Sequence, residues 1–206
     1  MPQKENTKNI LAVFDFDGTI TYKDSFLPFI LHVVGFYKFY FGLFSLSPII
    51  ILYFIKIVSK KTLKERFISY YFFGMSDIDF QSSTNSFINK KLTTLINPLA
   101  FQCMMRHKEL EHRVIVISAN IEDLVGKWCG KAGISEYSCT ILSKRNGILT
   151  GRINGANCYG KEKVKRLTSL VGTLDKFLIY AYGDSKGDSE LLEIADHPFY
   201  KFFPEL

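Results

Sequence analysis

The segment Ile10-Leu11-Ala12-Val13-Phe14-Asp15-Phe16-Asp17-Gly18-Thr19 decides the fold of this chain. Its first five residues form a continuous apolar run, without the polar alternation of a strand that has one face in water. The run ends abruptly at Asp15. This pattern predicts a β-strand that is buried on both faces, as in a parallel sheet, with acidic side chains at its carboxyl end.

Further short strand patterns follow along the chain, and helical segments separate them. They occupy residues 113–117, 137–142, 177–182 and 199–203. Asn146-Gly147, after the second of them, predicts a hairpin to an additional strand. Strands that alternate with helices indicate βαβ units and a mainly parallel sheet. The predicted fold class is therefore α/β, with a Rossmann-like parallel sheet core and helices on both faces.

A long helical region separates the first strand from the second and predicts an inserted helical cap. The expected division is a core of residues 1–21 and 96–206 and a cap of residues 22–95. Within the cap, the segment 25–55 is unusually apolar, because 22 of its 31 residues are apolar and Lys38 is its only charged residue. The pattern leaves open whether this segment forms one bent helix or a hairpin of two.

A basic cluster follows the apolar segment directly. Its five cations, opposed only by Glu65, are Lys56, Lys60, Lys61, Lys64 and Arg66. Apolar residues beside cations are typical of helices that lie in the interface of an anionic membrane. A cap core of unusual apolarity or a dimer interface explains the same pattern, and the sequence does not give the oligomeric state. The longest uncharged run, 39–55, has 17 residues and contains Pro48, which argues against a transmembrane span.

Composition excludes several classes of protein. The 206 residues are 47% hydrophobic and 22% charged, which is ordinary for a globular chain and excludes a disordered or fibrous one. The net charge of +6 comes without a long basic tract, so we expect no nucleic acid partner. The four cysteines form no CxxC pair, and the polar N-terminus lacks the apolar core of an export signal. We therefore expect reduced thiols and a cytoplasmic location.

Polar side chains follow three of the predicted parallel strands. They are Asp15 and Asp17, then Ser118, then Asp184 and Asp188, and Lys161 begins a helix that reaches the same edge. Because the carboxyl ends of parallel strands share one edge, we expect these groups to converge. A single acid after a strand is more often a turn or helix cap, but the whole ordered set predicts a site for Mg²⁺ and a phosphate group.

The same residues resemble, in order, the four motifs of the haloacid dehalogenase-like hydrolase superfamily: Asp15-Phe16-Asp17-Gly18-Thr19, Ser118, Lys161 and the segment 183–188. A helical insertion between the first two motifs resembles the phosphoserine-phosphatase-like branch. Two departures weaken an assignment to phosphoserine itself. Ser118-Ala119-Asn120 stands where Ser-Gly-Gly is usual, and Gly187 stands where an Asn is usual. The apolar segment beside the basic cluster resembles a phosphatidylglycerophosphatase C-like group.

The resemblance implies a role for each motif residue. Asp15 would be the nucleophile that forms an aspartyl-phosphate, and Asp17 the general acid and base. Mg²⁺ would be held by Asp15, the main-chain carbonyl of Asp17 and Asp184, with Asp188 as a ligand or as a residue that orients the ligands. The groups that bind phosphoryl oxygens would be Ser118, Lys161 and the amides of Gly18 and Thr19. In the cap, Asp24 and Arg66 would bind the substrate, although Asp24 also suits a helix cap and Arg66 a solvated surface.

Three functions remain open from the sequence. The leading hypothesis is a Mg²⁺-dependent phosphomonoesterase for a lipid-linked or amphiphilic phosphate at the inner face of the membrane. The second is a soluble metabolite phosphatase such as one for phosphoserine. The third is a non-catalytic, membrane-associated binding protein on the same fold. The carboxylate at Asp17 indicates a phosphatase or a phosphomutase, and we favour the phosphatase.

Overall fold

The structure, a computed structural model, describes residues 9–204. The N-terminal residues on which the export-signal expectation rests lie almost wholly outside that range. Six strands form one sheet in the order β4-β3-β2-β1-β5-β6. They are β1 (Asn9–Phe14), β2 (Arg113–Ile121), β3 (Glu136–Arg145), β4 (Ile148–Asn154), β5 (Phe177–Gly183) and β6 (His197–Tyr200). All neighbours are parallel except β3 and β4, so the predicted α/β fold with a mainly parallel sheet is confirmed.

Helices cover both faces of this sheet. They are α1 (Phe26–Val34), α2 (Phe36–Phe54), α3 (Lys60–Phe72), α4 (Asp77–Lys90), α5 (Pro98–Glu109), α6 (Glu122–Ala132), α7 (Lys161–Val171) and α8 (Ser189–Glu193). Side chains of β1 alternate between the two faces, yet all are buried: Ala12 and Phe14 join the core under α5 and α6, and Leu11 and Val13 join the core under α7 and α8. Burial on both faces explains why the strand reads as a continuous apolar run.

Helices α1 to α4, here called the insertion, lie between β1 and β2. The chain enters and leaves the insertion side by side, because Thr21 and Ile96 form an antiparallel bridge. The apolar segment 25–55 forms two helices rather than one bent helix, and Gly35 separates them with a φ of 80° that favours glycine. The division of the chain into a core of residues 1–21 and 96–206 and a cap of residues 22–95 stays a prediction.

Close packing against α3 holds the apolar helix α2 in place within the insertion. A Cβ atom at Gly42 would lie 2.4 Å from the Tyr71 hydroxyl, so only glycine fits there. That hydroxyl donates a hydrogen bond to the carbonyl of Phe39, at 2.7 Å. One face of α2 is thus fixed on α3, while most of the helix remains outside the core.

Local interactions fix the ends of two elements. The side chain that caps α3 is Ser59, which accepts a hydrogen bond from the amide of Thr62 at 3.1 Å. The last strand is 197–200 rather than 199–203, because Lys201 adopts a φ of 54° and ends the extended conformation. The hairpin at Asn146-Gly147 forms as predicted, with positive φ at both residues.

Candidate active site

A cleft of about 460 Å³ lies between the carboxyl edge of the sheet and the insertion. Strands β1, β2 and β5 end at its floor, as the sequence predicts for a parallel sheet. Their polar side chains and one lysine from α7 form the floor: Asp15, Asp17, Ser118, Lys163 and Asp184.

Asp15 lies buried at the end of β1, in contact with a buried ammonium. The Nζ atom of Lys163 is 2.7 Å from Oδ1 of Asp15 and 2.5 Å from Oδ1 of Asp188. Burial raises the pKa of Asp15 to about 7, although the charge of Lys163 acts in the opposite direction. Burial also disfavours the charged form of Lys163, but the two carboxylates outweigh it and raise its pKa, so the ammonium persists.

The lysine in the cleft is Lys163, and this corrects the assignment of Lys161 to phosphate binding. Lys161 is the first residue of α7, and its side chain is exposed. Along α7, Lys163 shares its face with Leu167, four residues later, and both side chains are buried. Helical periodicity therefore directs Lys163 toward the sheet edge and Lys161 toward solvent.

Three hydrogen bonds fix the carboxyl group of Asp17. Its Oδ1 accepts from the amide of Ser25 at 2.9 Å and from the Ser25 hydroxyl at 2.6 Å, and its Oδ2 accepts from Nδ2 of Asn120 at 2.8 Å. Burial, together with the neighbouring charge of Asp24, raises the pKa of Asp17 to about 6, although its hydrogen bonds act in the opposite direction. This carboxyl can therefore carry or release a proton near neutral pH.

The sequence analysis missed Asn120 and Ser25 as functional residues. Asn120 lies where the phosphoserine enzymes usually have glycine, and its side chain uses that position to reach both Asp17 and the Ser25 hydroxyl, the latter at 3.0 Å. The departure from the usual Ser-Gly-Gly at Ser118-Ala119-Asn120 could have identified Asn120, because a side-chain amide at the end of a strand beside two carboxylates is a suitable hydrogen-bond donor.

The other groups that the sequence predicts to bind phosphate differ in their hydrogen-bond partners. Ser118 is buried at the cleft floor, and its hydroxyl accepts a hydrogen bond from the main-chain amide of Asn120 at 3.1 Å. The Gly18 amide already donates to the Thr21 hydroxyl at 3.3 Å, and a Cβ at Gly18 would lie 2.2 Å from Oδ2 of Asp184. Thr19 is buried, and within residues 9–204 its hydroxyl has no hydrogen-bond partner.

Three carboxylates lie close enough together to hold a metal ion. One oxygen from each of Asp15, Asp184 and Asp188 lies within 4.8 Å of the other two. Because the carboxylates outnumber the single ammonium of Lys163, a divalent cation would relieve their mutual repulsion. Carboxylate oxygens are the ligands that Mg²⁺ prefers, so the residues present fit this ion.

Asp188 is held in place by the loop that precedes it. Its Oδ2 accepts from the amide and the hydroxyl of Ser185, at 3.0 and 2.8 Å. Burial favours its neutral form, but Lys163 and these hydrogen bonds outweigh burial and lower its pKa. For Asp184, burial and the charge of Asp188 raise the pKa.

The second departure, Gly187, is explained by a neighbouring aromatic ring. A Cβ at Gly187 would lie 2.4 Å from the ring of Tyr159, which lines the cleft. Tyr159 fills the space that a larger side chain at 187 would need. An Asn at this position is therefore incompatible with the cleft as it is built.

The insertion forms the outer wall of the cleft through one face of α3. The residues of this face, at helical spacing, are Lys60, Leu63, Lys64 and Phe67. Arg66 lies on another face of α3 and lines a separate surface depression with Gly151 and Arg152. The structure therefore does not bring Arg66 to the cleft in which it was expected to bind the substrate.

Asp24 lies at the rim of the cleft, but its side chain accepts hydrogen bonds from the main chain. Its Oδ1 accepts from the amides of Phe26 and Leu27, at 2.9 and 3.4 Å, at the start of α1. These bonds correspond to the helix-cap interpretation of Asp24. A contact with substrate stays a prediction.

Comparison with known proteins agrees with this geometry. The sequence profile of the haloacid dehalogenase-like hydrolases matches residues 12–193. Protein CicA of Caulobacter vibrioides is 30% identical over 195 residues, which cover 94% of this chain and 86% of that protein. A protein of Mycobacterium tuberculosis described as a probable phosphatase is 29% identical over 122 residues, covering 56% of this chain and 42% of that protein.

The fold is also that of a solved phosphatase. A structure of phosphoserine phosphatase with an analogue of its phospho-aspartyl intermediate has a TM-score of 0.62 at 19% identity, and the match covers 92% of this chain and 84% of that chain. The motif residues, the profile match and these relatives agree on one family. This chain therefore belongs to the haloacid dehalogenase-like hydrolases.

Proposed function

We propose that this protein is a Mg²⁺-dependent phosphomonoester hydrolase that works through an aspartyl-phosphate and acts on a lipid-linked or amphiphilic phosphate, of the phosphatidylglycerophosphate type. The observation that carries the proposal is the two-sided cleft. Its floor holds Asp15 beside Lys163, and its outer wall carries apolar side chains together with two lysines of α3. The buried free cysteines support a cytoplasmic location.

The first half of the reaction transfers the phosphoryl group to Asp15. An Oδ atom of Asp15 attacks phosphorus, and the bond from phosphorus to the leaving oxygen breaks. Asp17, oriented by Ser25 and Asn120, gives its proton to that oxygen. Lys163 and the Ser118 hydroxyl stabilise the charge on the phosphoryl oxygens.

The second half returns the enzyme to its starting state. Asp17, now a carboxylate, takes a proton from water, the resulting hydroxide oxygen bonds to phosphorus, and the bond from phosphorus to Asp15 breaks. Inorganic phosphate then leaves. Asp15, Asp184, Asp188 and the main-chain carbonyl of Asp17 would hold Mg²⁺, which when bound neutralises charge on the phosphate group.

The outer wall of the cleft suits an apolar chain next to the phosphate. Its apolar lining residues come from the insertion, and they are Phe26, Leu27, Tyr53, Leu63 and Phe67. A small, fully polar metabolite would leave most of this surface in contact with water. An acyl or other apolar group would cover it, with a gain of roughly 25 cal/mol for each Å² removed from water.

Helix α2 supports a contact with the membrane surface. It has 19 residues with a mean hydropathy of 1.4 in its most apolar window, and only 11% of that window is buried, which is unlike a core helix. Phe41 and Phe44 are 67% and 78% exposed. Two lysines near the end of α2 and the start of α3, Lys56 and Lys61, would face anionic headgroups.

A soluble metabolite phosphatase is the second candidate. The fold similarity to phosphoserine phosphatase favours it. The position of Arg66 outside the cleft and the absence of a side chain at Gly187 count against phosphoserine itself.

Phosphate release from a matched substrate panel tests the proposal. The panel contains phosphoserine, glycerol 3-phosphate and dioctanoyl phosphatidylglycerophosphate, each with Mg²⁺ and with a chelator. We expect Mg²⁺-dependent hydrolysis with at least a tenfold preference in kcat/KM for the lipid, abolished in Asp15→Asn and retained in the exposed control Asp175→Asn. A preference for phosphoserine would establish the second candidate, and equal phosphate release by Asp15→Asn would refute the mechanism.

A further inference from the structure

Lys64 is a cation of the outer wall that the proposed reaction does not use. It extends from α3 across the cleft, where its ammonium donates to the main-chain carbonyl of Ala119 and, at 3.3 Å, to Oδ1 of Asn157. Both acceptors are neutral. The Ala119 carbonyl belongs to the residue next to Ser118, so the ammonium lies beside the floor on which the phosphoryl group would bind.

Lys60 stands one helical turn before Lys64 on the same face of α3. Its Nζ atom lies 5.3 Å from the centre of the Tyr159 ring, and both residues line the cleft. Residues four apart on a helix are about 5–6 Å apart at Cβ. The two ammonium groups therefore border one region of the cleft.

Neither lysine has a carboxylate partner. Within residues 9–204, no carboxylate oxygen lies within 4.0 Å of Lys60 or Lys64, whereas Lys61 on the same helix pairs with Glu65 at 3.9 Å. Burial lowers the pKa of Lys64 to about 8, although Asp17 and Asp24 act in the opposite direction. A partly buried ammonium without a counter-ion is costly, and an anion in the cleft would remove that cost.

We propose that Lys64 and Lys60 form a second anion subsite, so that the preferred substrate is a phosphomonoester with another negatively charged group a few atoms from the scissile phosphate. This inference rests on the proposed phosphatase function. It assigns residues to the second anion of such a substrate, because an apolar tail alone would leave both ammonium groups without an anionic partner. The second anion is a phosphate, either free or in the phosphodiester of a lipid headgroup.

The floor of the cleft does not supply this subsite. Lys163, the cation that serves the scissile phosphate, already lies between Asp15 and Asp188. Lys64 faces the cleft from the opposite wall, on the insertion. The two anions of the substrate would therefore be bound by different parts of the chain, and Lys64 would determine specificity rather than take part in the chemistry.

The test compares two substrates that differ in the second anion: propyl phosphate and propane-1,3-diol bisphosphate. For the wild type we expect kcat/KM to be at least tenfold higher for the bisphosphate, after correction for its two cleavable ends, with the difference mainly in KM. Lys64→Met should reduce this ratio at least tenfold and Lys60→Met about threefold. Lys61→Met, the matched control on α3, should leave the ratio unchanged.

Two results would overturn the subsite. One is a corrected wild-type ratio near one. The other is a ratio that stays constant in Lys64→Met while both rates fall together, because Lys64 would then only hold α3 against the Ala119 carbonyl.

Calorimetric binding to Asp15→Asn with Mg²⁺ separates this inference from the phosphatase proposal, because binding does not need turnover. Tighter binding of the bisphosphate, lost in the Asp15→Asn, Lys64→Met double variant, supports the subsite even if no substrate is hydrolysed. Equal binding of both compounds refutes it.

A third compound identifies the source of the anion. In this compound the second phosphate is esterified to dioctanoylglycerol. If it exceeds the free bisphosphate in kcat/KM, the subsite binds a lipid headgroup, and the reverse order assigns it to a free phosphate; both orders require the loss of preference in Lys64→Met.

Discussion

Lys161 and Lys163 are only two positions apart in the chain, yet one is a solvated lysine and the other is the cation beside Asp15. Both follow Gly160 at the start of α7, and either fits a lysine motif by position alone. Only Lys163 lies within 2.7 Å of Asp15, and removing it would leave two carboxylates buried without their ammonium. An uncompensated buried charge costs several kcal/mol.

Lys163→Met therefore should lower kcat/KM at least 100-fold, as loss of a donor to developing charge does in other enzymes. It should also lower the free energy of unfolding by about 3 kcal/mol. Lys161→Met should change kcat/KM by less than about twofold and should leave the free energy of unfolding unchanged. Steady-state kinetics and urea titrations of both variants check this, and a larger loss in Lys161→Met would reverse the assignment.

Asn120 is a positioning residue, because it acts on the reaction only through Asp17. Loss of its amide should impair proton donation to the leaving oxygen. We expect Asn120→Ala to lower kcat about tenfold on an alkyl phosphate but less than threefold on p-nitrophenyl phosphate, whose leaving group needs little protonation. The exposed Asn89→Ala is the control. Equal losses on both substrates would mean that Asn120 supports the fold rather than Asp17.

At the scale of elements, α5 and β5 are joined by a buried histidine. His107 is fully buried, with Nε2 2.8 Å from the Tyr182 hydroxyl and Nδ1 2.8 Å from Nδ1 of His112. Burial lowers the pKa of His107 from 6.5 to about 4, and the neighbouring His112 acts in the same direction. The unfolded chain therefore binds this proton first as the pH falls.

This junction predicts acid lability. The contribution of His107 is fully present above pH 6.5 and is lost as the pH falls toward 4, by about 3 kcal/mol in total. His107→Gln should make the free energy of unfolding less dependent on pH over this interval. Denaturant titrations at pH 7 and pH 4 measure it, with the exposed His197→Asn as control. An unchanged pH dependence in His107→Gln would contradict the prediction.

The exposed face of α2 carries its own prediction. Phe41→Ser combined with Phe44→Ser should reduce binding to vesicles that contain 30% anionic lipid at least tenfold, because each ring loses its apolar contact with the interface. The matched control is Phe202→Ser, an exposed phenylalanine beyond β6. Vesicle sedimentation measures the effect. Binding that depends on salt alone and ignores both substitutions would remove α2 from the proposed membrane contact.

At the scale of the whole molecule, the sequence predicts the parts of the fold that depend on periodicity. The continuous apolar run 10–14 predicts a doubly buried central strand, and Asn146-Gly147 predicts the hairpin. The motif acids follow from their positions at strand ends, where topology alone brings them together.

What the sequence does not predict depends on which way a side chain points. Lys64 and Arg66 are two positions apart and carry the same charge, yet Lys64 faces the cleft and Arg66 faces a different surface. Choosing between them requires the angular position of α3 on the sheet edge, which tertiary packing decides. The sequence does not identify Asn120 or Tyr159 for the same reason, because their roles depend on residues more than twenty positions away.

The whole account depends on Asp15 becoming phosphorylated during turnover. The most direct measurement is to quench the enzyme during steady-state hydrolysis with borohydride, which reduces an aspartyl-phosphate to homoserine, and to sequence the peptide by mass spectrometry. We predict homoserine at position 15, only with substrate and Mg²⁺ present. Sustained phosphate release with Asp15 unmodified, or with the label on another residue, would contradict the account.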